Sequence, residues 1–468
     1  MKRTLLLAVV VVVLVLTVLT AVFIVSHAPP THAVIDDGKF YVGVTYCGNT
    51  TAEAKQLIDK VKNYTNLFIL QSGTLQNDTA AIYEIGDYAV ESGLDFITFF
   101  GGNSGGWMLS WLSSYDERWG EHFLGVYFAD ERGGKMLDNE MRFYDSQTKS
   151  SFLKIADGSI LDYMIDKNTN VTYKGDGTIV ARSGYPTVYS ENYNITTYYS
   201  NGTITFLTHQ EAGSGSSKIV EDASSLPYTY EELWSARPIK SYDEAAERFI
   251  DSLDEMYRVV PNNQTVKTFT SDYVLYWFDY LSSYDVVLAQ LGWNHSVTKD
   301  IALVRGAADM QGKTWGVIIT WKYTQAPYLA SGQEIYEQMR MAYRSGAKYV
   351  AIFNYAEDMQ GFEGTLQEEH FQALERFWNE DVQNPNVTRG EAKAEAAFVL
   401  PKNYGWGMRK PDDTVWGLWQ PPEEYRHLWT KIEEALATYG ERLDIIYDDS
   451  AYPIGDRYKQ VYYWNQTN

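Results

Sequence analysis

The residues of this chain best suited to chemistry are acidic, and the first of them come as a pair. The run 123–131 is apolar through Tyr127-Phe128-Ala129 and then ends in Asp130-Glu131. Two adjacent carboxylates closing an apolar stretch are costly to bury unless they are paired or used. If used, they suit general acid and base work: Glu131 gives a proton while Asp130 positions it or holds a substrate hydroxyl. If paired, they meet Arg132 or a neighbouring helix. Two further acids follow later apolar runs, Asp272 after 266–271 and Glu357 after 349–355. Asp272 has a second reading as a helix N-cap, and Glu357-Asp358 as the start of a solvated loop.

Polar and aromatic side chains close the remaining apolar runs. Tyr46 and Gln71 end the first two, while Trp293 and Asn294 follow Gln290-Leu291-Gly292. Trp321 and Tyr355 end the last two. Aromatic faces stack on the C–H faces of sugars while amides and hydroxyls bond the sugar oxygens, so these six are candidate substrate-binding residues. Filling a core is the other use of such rings, and composition does not separate the two. No cofactor is expected: the seven His lack ligand spacing, and no phosphate loop, dinucleotide glycine pattern or Gly-x-Ser-x-Gly turn occurs. Cys47 is the single cysteine, so no disulfide can form within the chain.

The elements that must position these residues are legible as a rhythm. Strand-like apolar runs occupy 40–48, 66–73, 95–102, 123–131, 266–271, 285–293, 314–321 and 349–355. Helical patterns fall at 52–62, 79–91, 242–257, 297–310, 333–344 and 368–378. The strands are continuously apolar rather than alternating, as in a parallel sheet covered by helices. Eight such units predict an α/β fold of the (β/α)8 TIM type, with an open doubly wound sheet as the alternative. Chemistry in such a barrel sits where the strands end. An alternating stretch with turn signals at Gly175-Asp176-Gly177 and Asn201-Gly202 predicts an antiparallel β-hairpin insertion at about 137–217, after the fourth strand. The composition changes after Asn384-Pro385, and 392–468 reads as a small C-terminal α/β domain with strands at 395–400 and 443–447 and a helix at 423–439. The barrel domain is then 34–391. Arg305 reads as the partner of a nearby acid rather than a substrate contact.

The acidic pair ending the fourth strand and the Trp-bearing seventh strand, Trp315 to Trp321, loosely resemble (β/α)8-barrel glycoside hydrolases over about residues 38–384. In the largest group of these enzymes the fourth strand carries Asn-Glu, the Glu being acid/base, and the seventh carries a nucleophilic Glu. Here Asp130 stands in place of the Asn, and Trp321-Lys322-Tyr323 offers no carboxylate. The resemblance therefore implies that Glu131 works with Asp272 or Glu357, at a separation that decides inversion or retention. It implies a carbohydrate or surface glycan as partner. The alternative is a barrel that binds glycans or serves as a surface structure without catalysis.

The start of the chain bears on where this occurs. Lys2 and Arg3 precede an apolar run at 5–25 broken only by Thr17 and Thr20. At ~1.5 Å per residue such a run spans roughly the ~30 Å hydrocarbon core of a bilayer, and the basic residues stay on the cytoplasmic side. Residues 1–33 are thus expected to be a short stub, a transmembrane signal anchor and a linker, holding the body outside the cell membrane. The alternative is a cleaved signal, against which Pro29 stands after Ser26-His27-Ala28. The chain has 21 Asn and 64 Ser or Thr in 468 residues. Random placement predicts about three Asn-x-Ser/Thr acceptors. Ten occur: Asn49, Asn63, Asn77, Asn170, Asn194, Asn201, Asn263, Asn294, Asn386 and Asn465. That excess points to an exported glycoprotein. A net charge of −22 without a basic cluster argues against nucleic acid.

Overall fold

A computed structural model describes residues 38–100, 115–138, 141–145, 150–154, 159–174, 176–184, 193–210, 213–214, 217–257, 266–282, 284–355 and 361–466. The apolar run 5–25 and Glu357 lie outside them. Among the described residues no helix is long and apolar enough to cross a membrane.

The eight apolar runs become eight parallel strands: β1 (Tyr41–Tyr46), β2 (Leu67–Leu70), β3 (Asp95–Phe100), β4 (Phe123–Asp130), β5 (Lys267–Asp272), β6 (Val286–Leu291), β7 (Thr314–Ile319) and β8 (Tyr349–Ile352). Each pairs with its neighbours in chain order, and β8 returns to β1 through Tyr41↔Tyr349 to Val44↔Ile352. The sheet is closed. The open-sheet alternative falls, and the chain is a TIM-type barrel.

Alternation along each strand sorts its side chains between two cores. Tyr41, Leu67, Ile69, Ile97, Tyr127, Phe269, Leu288 and Tyr349 fill the inside of the ring. Tyr41 and Tyr349 stack there with centroids 5.0 Å apart. Val42, Val44, Phe68 and Phe96 belong to the outer core, under the helices.

That helical layer consists of α1 (Thr51–Val61), α2 (Thr79–Glu91), α3 (Arg132–Asp138), α4 (Tyr242–Tyr257), α5 (Tyr276–Leu281), α6 (Val297–Gln311), α7 (Gly332–Arg344) and α8 (Glu368–Phe377). Several starts are written in the sequence: Thr50 caps α1, Asp78 caps α2 and Ser331 caps α7, each accepting from the backbone amide of the third residue of its helix.

Between α3 and α4 the described strands from Met141 to Ile219 form one antiparallel sheet of nine strands, where the alternating stretch predicts hairpins. Tyr173 and Tyr198 fasten it, donating to the carbonyls of Leu233 at 2.9 Å and Tyr228 at 2.8 Å.

At the carboxyl end, β9 (Ala396–Leu400), α9 (Leu428–Tyr439), β10 (Leu443–Tyr447) and β11 (Gln460–Tyr463) build a separate parallel sheet in the order β10-β9-β11. The third strand is an addition to the two expected. This sheet docks on α6 by a buried ion pair. Arg305 Nε donates to Asp444 Oδ1 at 2.7 Å, and Arg305 Nη2 reaches the Leu443 carbonyl at 2.9 Å. Tyr458 donates to the other Asp444 oxygen at 2.9 Å. Gly306 lets the strand approach, since a Cβ there would lie 2.8 Å from the Ile445 carbonyl oxygen.

Removing one partner of a buried ion pair strands the other charge, whereas replacing both by apolar groups is nearly neutral. Arg305→Ala should therefore lower unfolding stability by ~3–5 kcal/mol, while Arg305→Met with Asp444→Leu recovers most of the loss. Urea unfolding followed by Trp fluorescence measures both.

Candidate functional site

The site begins with a register shift. β4 and β5 pair from Lys267↔Gly125 to Phe269↔Tyr127, and the next pair is Ser271↔Asp130. Across this step β5 advances two residues and β4 three, which is a β-bulge. Ala129 takes up the extra residue with a left-handed φ of 50°. The shift changes which way Asp130 points. Three residues after the inward-facing Tyr127, an unbulged Asp130 would face the helices. With the bulge it shares the barrel interior with Tyr127.

Donors surround its carboxylate. Tyr127 OH lies 2.8 Å from Asp130 Oδ1, Ser271 Oγ 2.5 Å and Gln290 Nε2 3.3 Å. Gln71 Nε2 approaches Oδ2 at 3.4 Å. These partners are tied to each other: Tyr127 OH is 2.7 Å and Gln290 Nε2 2.9 Å from Ser271 Oγ. Burial pushes the Asp130 carboxyl upward, against the hydrogen bonds from Ser271, Tyr127 and Gln290 that favour its charged form. The Gln71 and Gln290 side-chain oxygens are buried with no donor among the described residues. Acceptors of this kind are met by bound water or by donors of a ligand.

Glu131 stands at the rim, its side chain 28% exposed, with φ of 58°. Its amide donates to the Ser271 carbonyl at 2.9 Å and its carbonyl accepts from Lys135 N at 2.8 Å, so strand end and helix start are locked together. Burial raises its carboxyl first, and the Asp130 charge raises it further. Lys135 Nζ, 4.0 Å from Glu131 Oε2, opposes this and also donates to the Asp130 carbonyl at 2.9 Å.

Asp272 is placed otherwise than a catalytic partner across the mouth would be. It is buried, and its carboxylate accepts from the amides of Gly133, of Gly134 at 2.9 Å and of Tyr273 at 2.8 Å. It caps α3, the helix that starts beside Glu131, rather than the helix after its own strand. Arg132-Gly133-Gly134 permits this. A Cβ on Gly133 would come within 3.0 Å of Asp272 Oδ2, and one on Gly134 within 1.9 Å of the Tyr273 ring. Burial raises Asp272 to about 7 despite those amides.

The carboxyl-terminal residues reach the same region. Tyr273 OH donates to Asp138 Oδ2 at 2.8 Å at the end of α3. Arg409 Nη1 donates to Asp138 Oδ1 at 2.5 Å while its other nitrogens fork onto Asp413 at 2.8 and 2.7 Å.

On the opposite side a line of rings runs outward from the barrel. Phe353 packs on the interior core, and Tyr355 stacks on it with centroids 6.5 Å apart. Trp321 meets Tyr355 edge-on at 5.5 Å, and Trp293, 36% exposed, lies 6.2 Å from Trp321.

Of the candidates, Asp130, Glu131 and Gln71 converge on one floor, and Trp293, Trp321 and Tyr355 form the ring series. Tyr46 is not brought to the mouth. It lies in the outer core, its hydroxyl donating to the Thr50 carbonyl at 2.9 Å at the start of α1. Asn294 is exposed and borders a cleft between α6 and α7. Tyr127, Ser271 and Gln290 are members of the site beyond those chosen from the sequence. Gln290 could have been found as the polar residue interrupting a buried strand. Among the described residues no three His, Cys, Asp or Glu side chains group to hold a metal.

Fold and strand-end geometry define a TIM-type α/β barrel with an acidic floor at the carboxyl ends of its strands. No family model matches the chain, and no curated protein matches it.

The raised carboxyls predict how stability depends on pH. Burial pushes Asp272 to about 7 and lifts Asp279, Asp300 and Asp444 as well. Such a group binds more protons folded than unfolded between its unfolded value near ~3.9 and its folded one, so unfolding free energy falls as pH rises through that window. The urea midpoint should fall from about pH 5 to about pH 8. A midpoint that rises over that range would mean these carboxyls gain their stability from ion pairs.

Proposed function

We propose that this protein is a membrane-anchored barrel whose outward-facing body hydrolyses or binds surface or environmental glycans at the Asp130–Glu131 floor. The observation that carries the reading is the combination at the carboxyl ends of the strands: two upward-shifted carboxyls, two amide oxygens with no donor among the described residues, and a series of rings on the other side of the barrel. A sugar offers what each part lacks. Its hydroxyls are donors for Gln71 and Gln290, its C–H faces suit Trp321 and Trp293, and its glycosidic oxygen accepts a proton.

In this reading Glu131 is the general acid. A carboxyl raised by burial and a neighbouring charge is suited to give its proton to the leaving oxygen as the bond to the anomeric carbon breaks. Asp130, fixed by Tyr127, Ser271 and Gln290, carries the negative charge beneath the developing oxocarbenium ion and orients a hydroxyl. Asp272 is committed to α3. The second carboxylate, which activates water or attacks the sugar, is then Asp130 itself or Glu357. Anchoring rests on the run 5–25 with its flanking Lys2 and Arg3, and outward placement on the ten acceptor sequences.

A second reading is favoured by one observation. With Asp272 turned to backbone amides, no partner for Glu131 across the mouth occurs among the described residues. A barrel that binds glycans without cleaving them needs none.

Glu131→Gln separates the two. Assayed on aryl glycosides and polysaccharides, the hydrolase loses turnover, keeps oligosaccharide binding and melts within a few degrees of the parent. Turnover that survives the substitution removes Glu131 from the mechanism. Binding by a parent protein that hydrolyses nothing supports the non-catalytic barrel.

A further inference from the structure

Between α6 and α7, outside the ring of strands, lies a cleft of about 160 Å3. Asn294 and His295 border it on one side, Thr320 and Lys322 on another, and Glu334 and Gln338 of α7 on the third. The volume is below the ~300 Å3 at which sites for drug-sized ligands begin, which leaves room for a single sugar ring. Its lining is polar. Lys322 Nζ is held by both oxygens of Glu334 at 2.8 and 2.7 Å. His295 Nδ1 and Gln338 Oε1 are buried with no hydrogen-bond partner among the described residues, and burial holds His295 neutral by lowering it to about 4.

Asn294 is the acceptor of Asn294-His295-Ser296, exposed and in the left-handed region at φ 58°. Its place on the border of a cleft of one-sugar size is the juxtaposition that matters. We propose that Asn294 is glycosylated and that the first sugar of its glycan seats in the α6–α7 cleft, its donors meeting Gln338 and His295. The Asn294 amide nitrogen bonds to the anomeric carbon of a lipid-linked oligosaccharide diphosphate. The lipid diphosphate leaves with the bonding electron pair, and the amide proton goes to the transferase's base. Seated outside the strands, this glycan leaves the barrel mouth open despite its acceptor following β6. By contrast, Asn170 is buried within a strand of the inserted sheet, and Asn201 stands on an exposed turn.

The inference rests on the outward placement proposed above, and the test keeps the two apart. Full-length protein is produced in a secreting eukaryotic host, and each acceptor peptide is analysed by mass spectrometry. The folded protein is then treated with a peptide N-glycosidase. The seat predicts full occupancy at Asn294 and release there at least tenfold slower than at Asn201. Gln338→Phe, which fills the cleft, should bring release at Asn294 up to the Asn201 rate. Asn294 left unmodified while Asn201 is modified, or released as fast as Asn201 in the unaltered protein, overturns the seat. All acceptors unmodified overturns the outward placement and the seat with it.

Discussion

A carboxylate can be kept inside the end of an all-parallel barrel only if donors are brought to it, because its own strand spends its amides on neighbouring strands. Asp130 meets that constraint through the bulge at Ala129, which turns it toward Tyr127, Ser271 and Gln290. Those three come from β4, β5 and β6, so the floor exists only because the strands close in register. Glu131 inherits its place from the same bulge. Its left-handed backbone turns the chain out of β4 and directly into α3.

The surroundings of that turn are arranged to hold it. Asp272 caps α3 from the next strand, and the two glycines admit it. Asp138 at the far end of α3 is gripped by Tyr273 and by Arg409 from the carboxyl-terminal residues. The small sheet on α6 is thus more than an appendage. Arg305 fixes its strands to the barrel while Arg409 reaches the helix that follows Glu131. Holding both ends of this seven-residue helix fixes the backbone that leaves Glu131, the proton donor of the proposed reaction.

Much of this was legible in the sequence and some was not, for identifiable reasons. Continuous apolar runs with helices between them predict a parallel closed sheet because both of its faces are covered, and the eight runs are the eight strands. The acidic pair and Gln71 were readable as strand ends. Tyr46 was misassigned because inward and outward are decided by register, which no single run reveals. The bulge at Ala129 is invisible for the same reason, and with it the true direction of Asp130. Asp272 was readable as a cap, but its helix belongs to another strand–helix unit, a contact made only in three dimensions. β11 escaped because Gln460-Val461-Tyr462-Tyr463 is a short, half-exposed edge strand without a continuous apolar run.

The bulged end of β4 is proposed as the floor for a sugar ring. A crystal structure of the protein with a saturating hydroxylated imino-sugar tests it most directly. The ring is expected above Asp130 and Glu131, its hydroxyls donating to the side-chain oxygens of Gln71 and Gln290 and one face turned to Trp321. A ring bound elsewhere, or an Asp130 side chain on the helix side of β4, would contradict it.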